Sequence, residues 1–246
     1  MSTTTTPPPT TPAAGTPPGC PVSAELLPPN MRKHVDPAAP PPLRMMAAKA
    51  LVPLAPADLL SVLFMLTFDA EAGVRDTATK TAAALPDRFA AGLRDEDVPA
   101  PVLGWFLPLL LAKDVYAEML VLNPSTPDEA VAQAARTCSA KIAEIIGQNQ
   151  LRILRHEDVL RQLCTNPQAS PALLDSVCDF AVRSGLMLAD VAPMQAARVR
   201  LFGPQAAAAA PEPGSTAEEV LQEFADDLLK DKSELAAGAE GGEEPA

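Results

Sequence analysis

The sequence predicts an all-α fold of stacked helix pairs, and three observations carry that prediction. Strand signals are scarce: period-two alternation is rare and no Asn-Gly hairpin turn occurs. Helical patterns recur in short pieces from about Leu43 to Gly203. A turn motif, Asn-Pro just after an apolar helix end, occurs at Asn123-Pro124 and again 43 residues later at Asn166-Pro167. A compact irregular helical bundle is the alternative arrangement.

The first half holds the more apolar pieces. Residues 43–52 begin the helical region. Residues 56–68 follow, with Pro56 in the first turn, where its missing N–H costs nothing, and Asp58 favourable to the helix dipole. Residues 70–85 place Val74, Ala78 and Leu85 inward and stop at Pro86. Residues 86–93 form a short helix. Residues 99–112 form an apolar one that Pro108 is expected to kink or split. Residues 113–122 close this half.

In the second half, Thr126, Pro127 and Glu129 predict a capping box that opens a helix over 126–138, burying Ala130, Val131, Ala134, Ala135 and Cys138. Gly147 is expected to stop the helix 139–147. Residues 151–164 form one helix or two, broken near His156. Ser170 caps a helix that Gly185 stops, with Leu173, Leu174, Val177, Cys178 and Ala181 inward. Residues 191–202 form the last helix of the body.

The spacing apolar-x-x-Asn/Asp recurs at Leu66–Asp69, Leu120–Asn123, Ile146–Asn149 and Leu163–Asn166. Such an Asn or Asp is expected to adopt a left-handed or turn conformation and to bond nearby backbone. A helix–turn–helix unit of roughly 40 residues has one apolar face too many to stand alone, so neighbours stack.

Composition bounds the rest. Of 28 prolines, 13 lie in residues 1–42, which read as a disordered Pro/Thr-rich arm. Residues 43–203 form the helical domain, and residues 204–246 an acidic low-complexity tail. The net charge of −12 is concentrated there: 2 Lys/Arg against 11 Asp/Glu in the tail, 15 against 18 in the domain. Within the tail, 215–235 reads as an amphipathic helix with the apolar stripe Val220, Leu221, Phe224 and Leu228. The acidic balance disfavours nucleic acid and anionic lipid as partners. Cys20, Cys138, Cys164 and Cys178 form no C-x-x-C, so a zinc site is not expected and the cysteines read as small buried residues of a reducing compartment. No signal peptide and no apolar run of membrane-spanning length are read, which predicts a cytoplasmic protein.

The stretches "FDAEAGVRDTATKTAAALP" and "VLNPSTPDEAVAQAA", together with the segment ending "LCTNPQASPALLDSVCDFAVRSG", resemble bacterial HEAT-like or leucine-rich-repeat-variant helical proteins. The resemblance covers about 43–203. It implies an α-solenoid of about four helix pairs and, by analogy, a protein-binding scaffold.

Candidate site residues are few. Arg152, Arg155 and Arg161, with His156 among them, form the one basic cluster, which reads as a solvated surface salt-bridged by Glu157 and Asp158 or, alternatively, as a contact for an acidic partner, the tail helix included. Trp105, beside Phe106, reads as buried core or, alternatively, as an apolar contact for a partner. Asn123, Asn149 and Asn166 read as structural turn residues. No catalytic motif, phosphate loop, cofactor site or metal site is read, and Asp95, Glu96 and Asp97 read as a solvated loop. The expected function is a non-enzymatic scaffold or adaptor that binds another protein, with no small-molecule substrate. The alternative is a nucleic-acid-binding or nucleic-acid-processing repeat protein.

Overall fold

The structure is a computed structural model that describes the backbone of residues 15–208. Their regular secondary structure is helical, with no strand among the described residues. The α-helices are α1 (Pro41–Ala48), α2 (Pro56–Leu66), α3 (Ala72–Ala83), α4 (Ala100–Leu110), α5 (Asp114–Leu122), α6 (Asp128–Ala135), α7 (Ala140–Gln148), α8 (Gln150–Arg155), α9 (Glu157–Leu163), α10 (Pro171–Arg183) and α11 (Ala192–Ala208). A 3-10 helix, Asp87–Arg94, lies between α3 and α4. The tail segment 215–235, with Val220, Leu221, Phe224 and Leu228, lies outside the described residues.

Packing joins elements that are close in the chain. Helix α2 meets α3 and the 3-10 helix 87–94, α4 meets α5 and α6, α6 meets α9, and α10 meets α7 and α11. Helix α2 is the most buried: each of Leu59 to Leu66 is inside, which an 11-residue piece with one acidic residue allows. The charge-poor α4 buries Val102, Leu103, Phe106, Leu107 and Leu110, and runs through Pro108 without splitting. No described helix is long and apolar enough to cross a membrane.

The N-terminal boundary moves. Residues 15–42, expected in the disordered arm, pack on the body through Val22, Ala24, Leu27 and Val35, which are buried, while Leu26 stays exposed. Short 3-10 turns shape the segment. Ser23 accepts from the Glu25 amide, the Thr16 hydroxyl accepts from the Ala24 amide, and Arg32 donates to the Leu27 and Glu25 carbonyls. Prolines break regular helix but do not prevent burial, and four apolar side chains among them suffice to hold the segment down.

Two expected helix boundaries also change. The capping box at Thr126 does not form. Pro127 is the N-cap of α6 without a side-chain bond, and the buried Thr126 hydroxyl instead donates to the Leu120 carbonyl at 2.6 Å. Gly147 does not stop α7 but lies inside it. A Cβ at that position would lie 2.7 Å from Leu173 Cδ1 and 3.1 Å from Val177 Cγ2, so glycine there lets α10 approach. Three further boundaries match the sequence reading. Ser170 accepts from the Leu173 amide at 3.1 Å, α10 ends before Gly185, and the chain breaks at His156 between α8 and α9.

All four apolar-x-x-Asn/Asp turns close alike. The amides of Asp69, Asn123, Asn149 and Asn166 donate to the carbonyls of Leu66, Leu120, Ile146 and Leu163, at 3.1–3.3 Å. None is left-handed, since among the described non-glycine residues only Ala50 has positive φ. In three of them the side-chain oxygen then accepts from the amide two residues on: Asp69 from Glu71, Asn123 from Ser125 and Asn166 from Gln168, each at 2.8–2.9 Å. Asn149 departs, because α8 starts at once and its oxygen caps that helix by accepting from the Arg152 amide.

Candidate functional site

The candidate site is the short helix α8 with the turn that it covers. Asn149 opens α8 and His156, at φ −141°, closes it after six residues. One side of the helix is anchored. Ile153 is fully buried, and Arg152 is 3% exposed. The Arg152 guanidinium reaches back into the turn after α5. There Nη1 donates to the Thr126 carbonyl at 2.8 Å and to Asp128 at 2.7 Å, and Nη2 donates to the Asn123 carbonyl at 3.1 Å. Asn123 is the C-cap of α5 and Thr126 precedes the α6 N-cap, so both carbonyls lie outside the helical ladders and are open to the guanidinium.

Asp128 binds two arginines. Besides Arg152 it takes a forked contact from Arg155, at 2.6 and 2.7 Å. The Arg155 bond, reinforced by both positive charges, holds the Asp128 carboxyl below its usual range. Burial pulls Arg152 down and Asp128 opposes that fall. Nothing in the spacing of the sequence marks Asp128 as the hub. Its position in the first turn of α6 reads equally well as a helix-dipole residue.

The structure therefore separates the three expected contact arginines. Arg152 is not available to a partner: it is interior, a correction that follows from its role as donor to the turn. Arg155 is 60% exposed while paired to Asp128. Arg161, on α9, is bound by Asp158, Glu157 and Asp190, which raises its already high pKa, the Asp190 bond most. Trp105 lies elsewhere, on α4, partly buried with its ring edge-on to Phe64 and Phe106 at 5.8 and 4.9 Å between centroids. It belongs to the aromatic packing between α2 and α4, not to the α8 cluster.

The outer side of α8 was not singled out by sequence. Leu151 is 81% exposed and Leu154 is 40% exposed. Leu151, Leu154 and Arg155 stand at i, i+3 and i+4, so they share one face. The available signal was "LRILRH", whose leucines flank the anchoring Arg152 and Ile153 at a spacing of three. The structural role expected of Asn123 and Asn166 is what the geometry shows. Asn123 Nδ2 donates to the Leu93 and Asp95 carbonyls, and Asn166 Nδ2 to those of Ala135 and Cys138. Among the described residues no cluster of three or more His, Cys, Asp or Glu is placed to hold a metal ion.

Comparison with protein families, with curated proteins and with solved structures finds no match to this chain.

Proposed function

We propose that the protein is a non-enzymatic interaction module that binds another protein through the outer face of α8. The observation that carries this reading is the exposure of Leu151 and Leu154 on a helix whose opposite side is pinned by Arg152 and Ile153. Leucines on a rigid helix offer apolar area at low ordering cost. The exposed guanidinium of Arg155 beside them suits a partner helix that is apolar on one side and carries carboxylates at its edge. In this reading the helices form a HEAT-like solenoid. Packing between chain-neighbouring helices and the shared bonding of the Asp69, Asn123 and Asn166 turns support that arrangement.

A photo-crosslinking residue in place of Leu151 tests the proposal. The expected result is a crosslink to one other protein, which binds the purified wild-type chain and binds the Leu151→Glu variant about tenfold or more weaker. A crosslink only to residues 215–235 of the same chain would replace the partner by the protein's own tail. Salt-sensitive retention on heparin, lost when Arg155 and Arg161 are replaced, would instead favour nucleic acid.

A further inference from the structure

We propose that Cys164 and Cys178 are a redox modification site, a dithiol that a low-molecular-weight disulfide converts to an intrachain disulfide. Cys164 is the C-cap of α9 and Cys178 sits in the middle of α10. Their sulfurs lie 3.9 Å apart in thiol–thiol contact. A disulfide bond is about 2.05 Å, so the sulfurs must close by roughly 1.9 Å, a movement on the scale of side-chain rotation. The backbone on both sides is already fixed. Asn166 ties the intervening turn to the Ala135 and Cys138 carbonyls, and Ser170 caps α10.

The two thiols differ in access. Cys164 is partly exposed, whereas Cys178 is buried. The reaction therefore opens at Cys164. Its thiolate attacks one sulfur of the reagent disulfide, expelling one thiolate and leaving a mixed disulfide. Cys178 then attacks the Cys164 sulfur and expels the second thiolate. The two protein protons pass to the two leaving thiolates, so the protein loses two electrons and two protons and the reagent gains them. Contact with the Cys178 sulfur, together with burial, raises the Cys164 thiol, so the opening attack is slow at neutral pH and quickens as pH rises. Cys138 is nearby but takes no part: burial pushes it up to about 11, and its sulfur accepts from the Asn166 amide.

The sequence gives a clean assay. No Lys or Arg lies between Arg161 and Arg183, so trypsin releases residues 162–183 as one peptide with both cysteines. The full chain is incubated with oxidised glutathione, acid-quenched, alkylated under denaturing conditions and digested. The expected product is peptide 162–183, two hydrogen atoms lighter, refractory to alkylation and restored by dithiothreitol. It forms faster at higher pH and is unaffected by Cys138→Ser. A persistent glutathione adduct on Cys164, a link between different peptides, or full alkylation of 162–183 would each overturn the proposal. Because the wild-type chain carries the readout, no variant has to fold for the test to decide.

Discussion

The turn at Asp69 and the turn at Asn123 are built alike and used differently. Each follows an apolar helix end, and each side-chain oxygen accepts from the amide two residues on. At Asp69 the carboxylate has only acceptor atoms, and it takes the buried guanidinium of Arg44. At Asn123 the amide also donates, and it reaches back to two carbonyls of the segment before α4. Here too an arginine enters, Arg152, but it binds backbone carbonyls and finds its carboxylate further along, at Asp128. The difference teaches that one oxygen makes both turns, while the donor or acceptor character of the rest of the side chain decides what each turn holds: at Asp69 the turn-closing Oδ1 itself takes the arginine, and at Asn123 the amide nitrogen donates to carbonyls.

Exchanging the two side chains should break this comparison most severely. Asn123→Asp places a buried carboxylate oxygen against the Leu93 and Asp95 carbonyls and removes two hydrogen bonds. A loss of roughly 4 kcal/mol is expected by denaturant unfolding. The converse Asp69→Asn keeps the turn but strands the Arg44 charge, so a loss of about 3 kcal/mol is expected in the same measurement. If Asn123→Asp proves the milder of the two, the roles assigned to the donating amide and the accepting carboxylate fail.

Glycine contacts sharpen the contrast at a smaller scale. Gly92 lies in the 3-10 helix that Asn123 holds, and a Cβ there would meet the Pro56 carbonyl carbon at 2.7 Å and the Ala57 nitrogen at 2.9 Å. Backbone cannot yield as a side chain can, so Gly92→Ala should cost about 2 kcal/mol. Gly147→Ala presses on the free end of Leu173, so about 1 kcal/mol is expected. Thermal unfolding should rank the two variants in that order.

The smallest effect concerns the N-terminal segment. His34 is buried, and burial, the leading cause, lowers its pKa. With the folded value below the unfolded one, docking is fully supported above the usual histidine value of about 6.5 and weakens as pH falls toward the folded value. Protection across 22–35, taken from hydrogen exchange after correction for its intrinsic pH dependence, should therefore fall between pH 7 and about pH 5.5, while protection in α2 stays constant. Unchanged protection across 22–35 would show that His34 does not couple to docking.

The helices and the turns were legible because they rest on local rules. Apolar periodicity marked α2, α3 and α10. Ser170 and Gly185 marked the ends of α10, and the spacing Leu163 to Asn166 marked a real turn. What escaped depends on neighbours distant in sequence. Gly147 read as a stop because its contact with Leu173 lies 26 residues away. Thr126 read as a cap because nothing local shows that its hydroxyl turns back to Leu120. Arg152, Arg155 and Arg161 read as one surface cluster, yet one is interior and another is held by Asp190 from beyond α10. The packed part of the N-terminal segment was hidden by its prolines.

The most direct test of the α8 account pairs two readouts on one double variant, Leu151→Glu with Leu154→Glu. Both side chains point away from the anchor formed by Arg152 and Ile153 if the account holds. The melting temperature should then stay within about 2 °C of wild type, while binding of the crosslinked partner falls at least about tenfold. A variant that unfolds, or one that binds the partner as wild type does, would contradict the account.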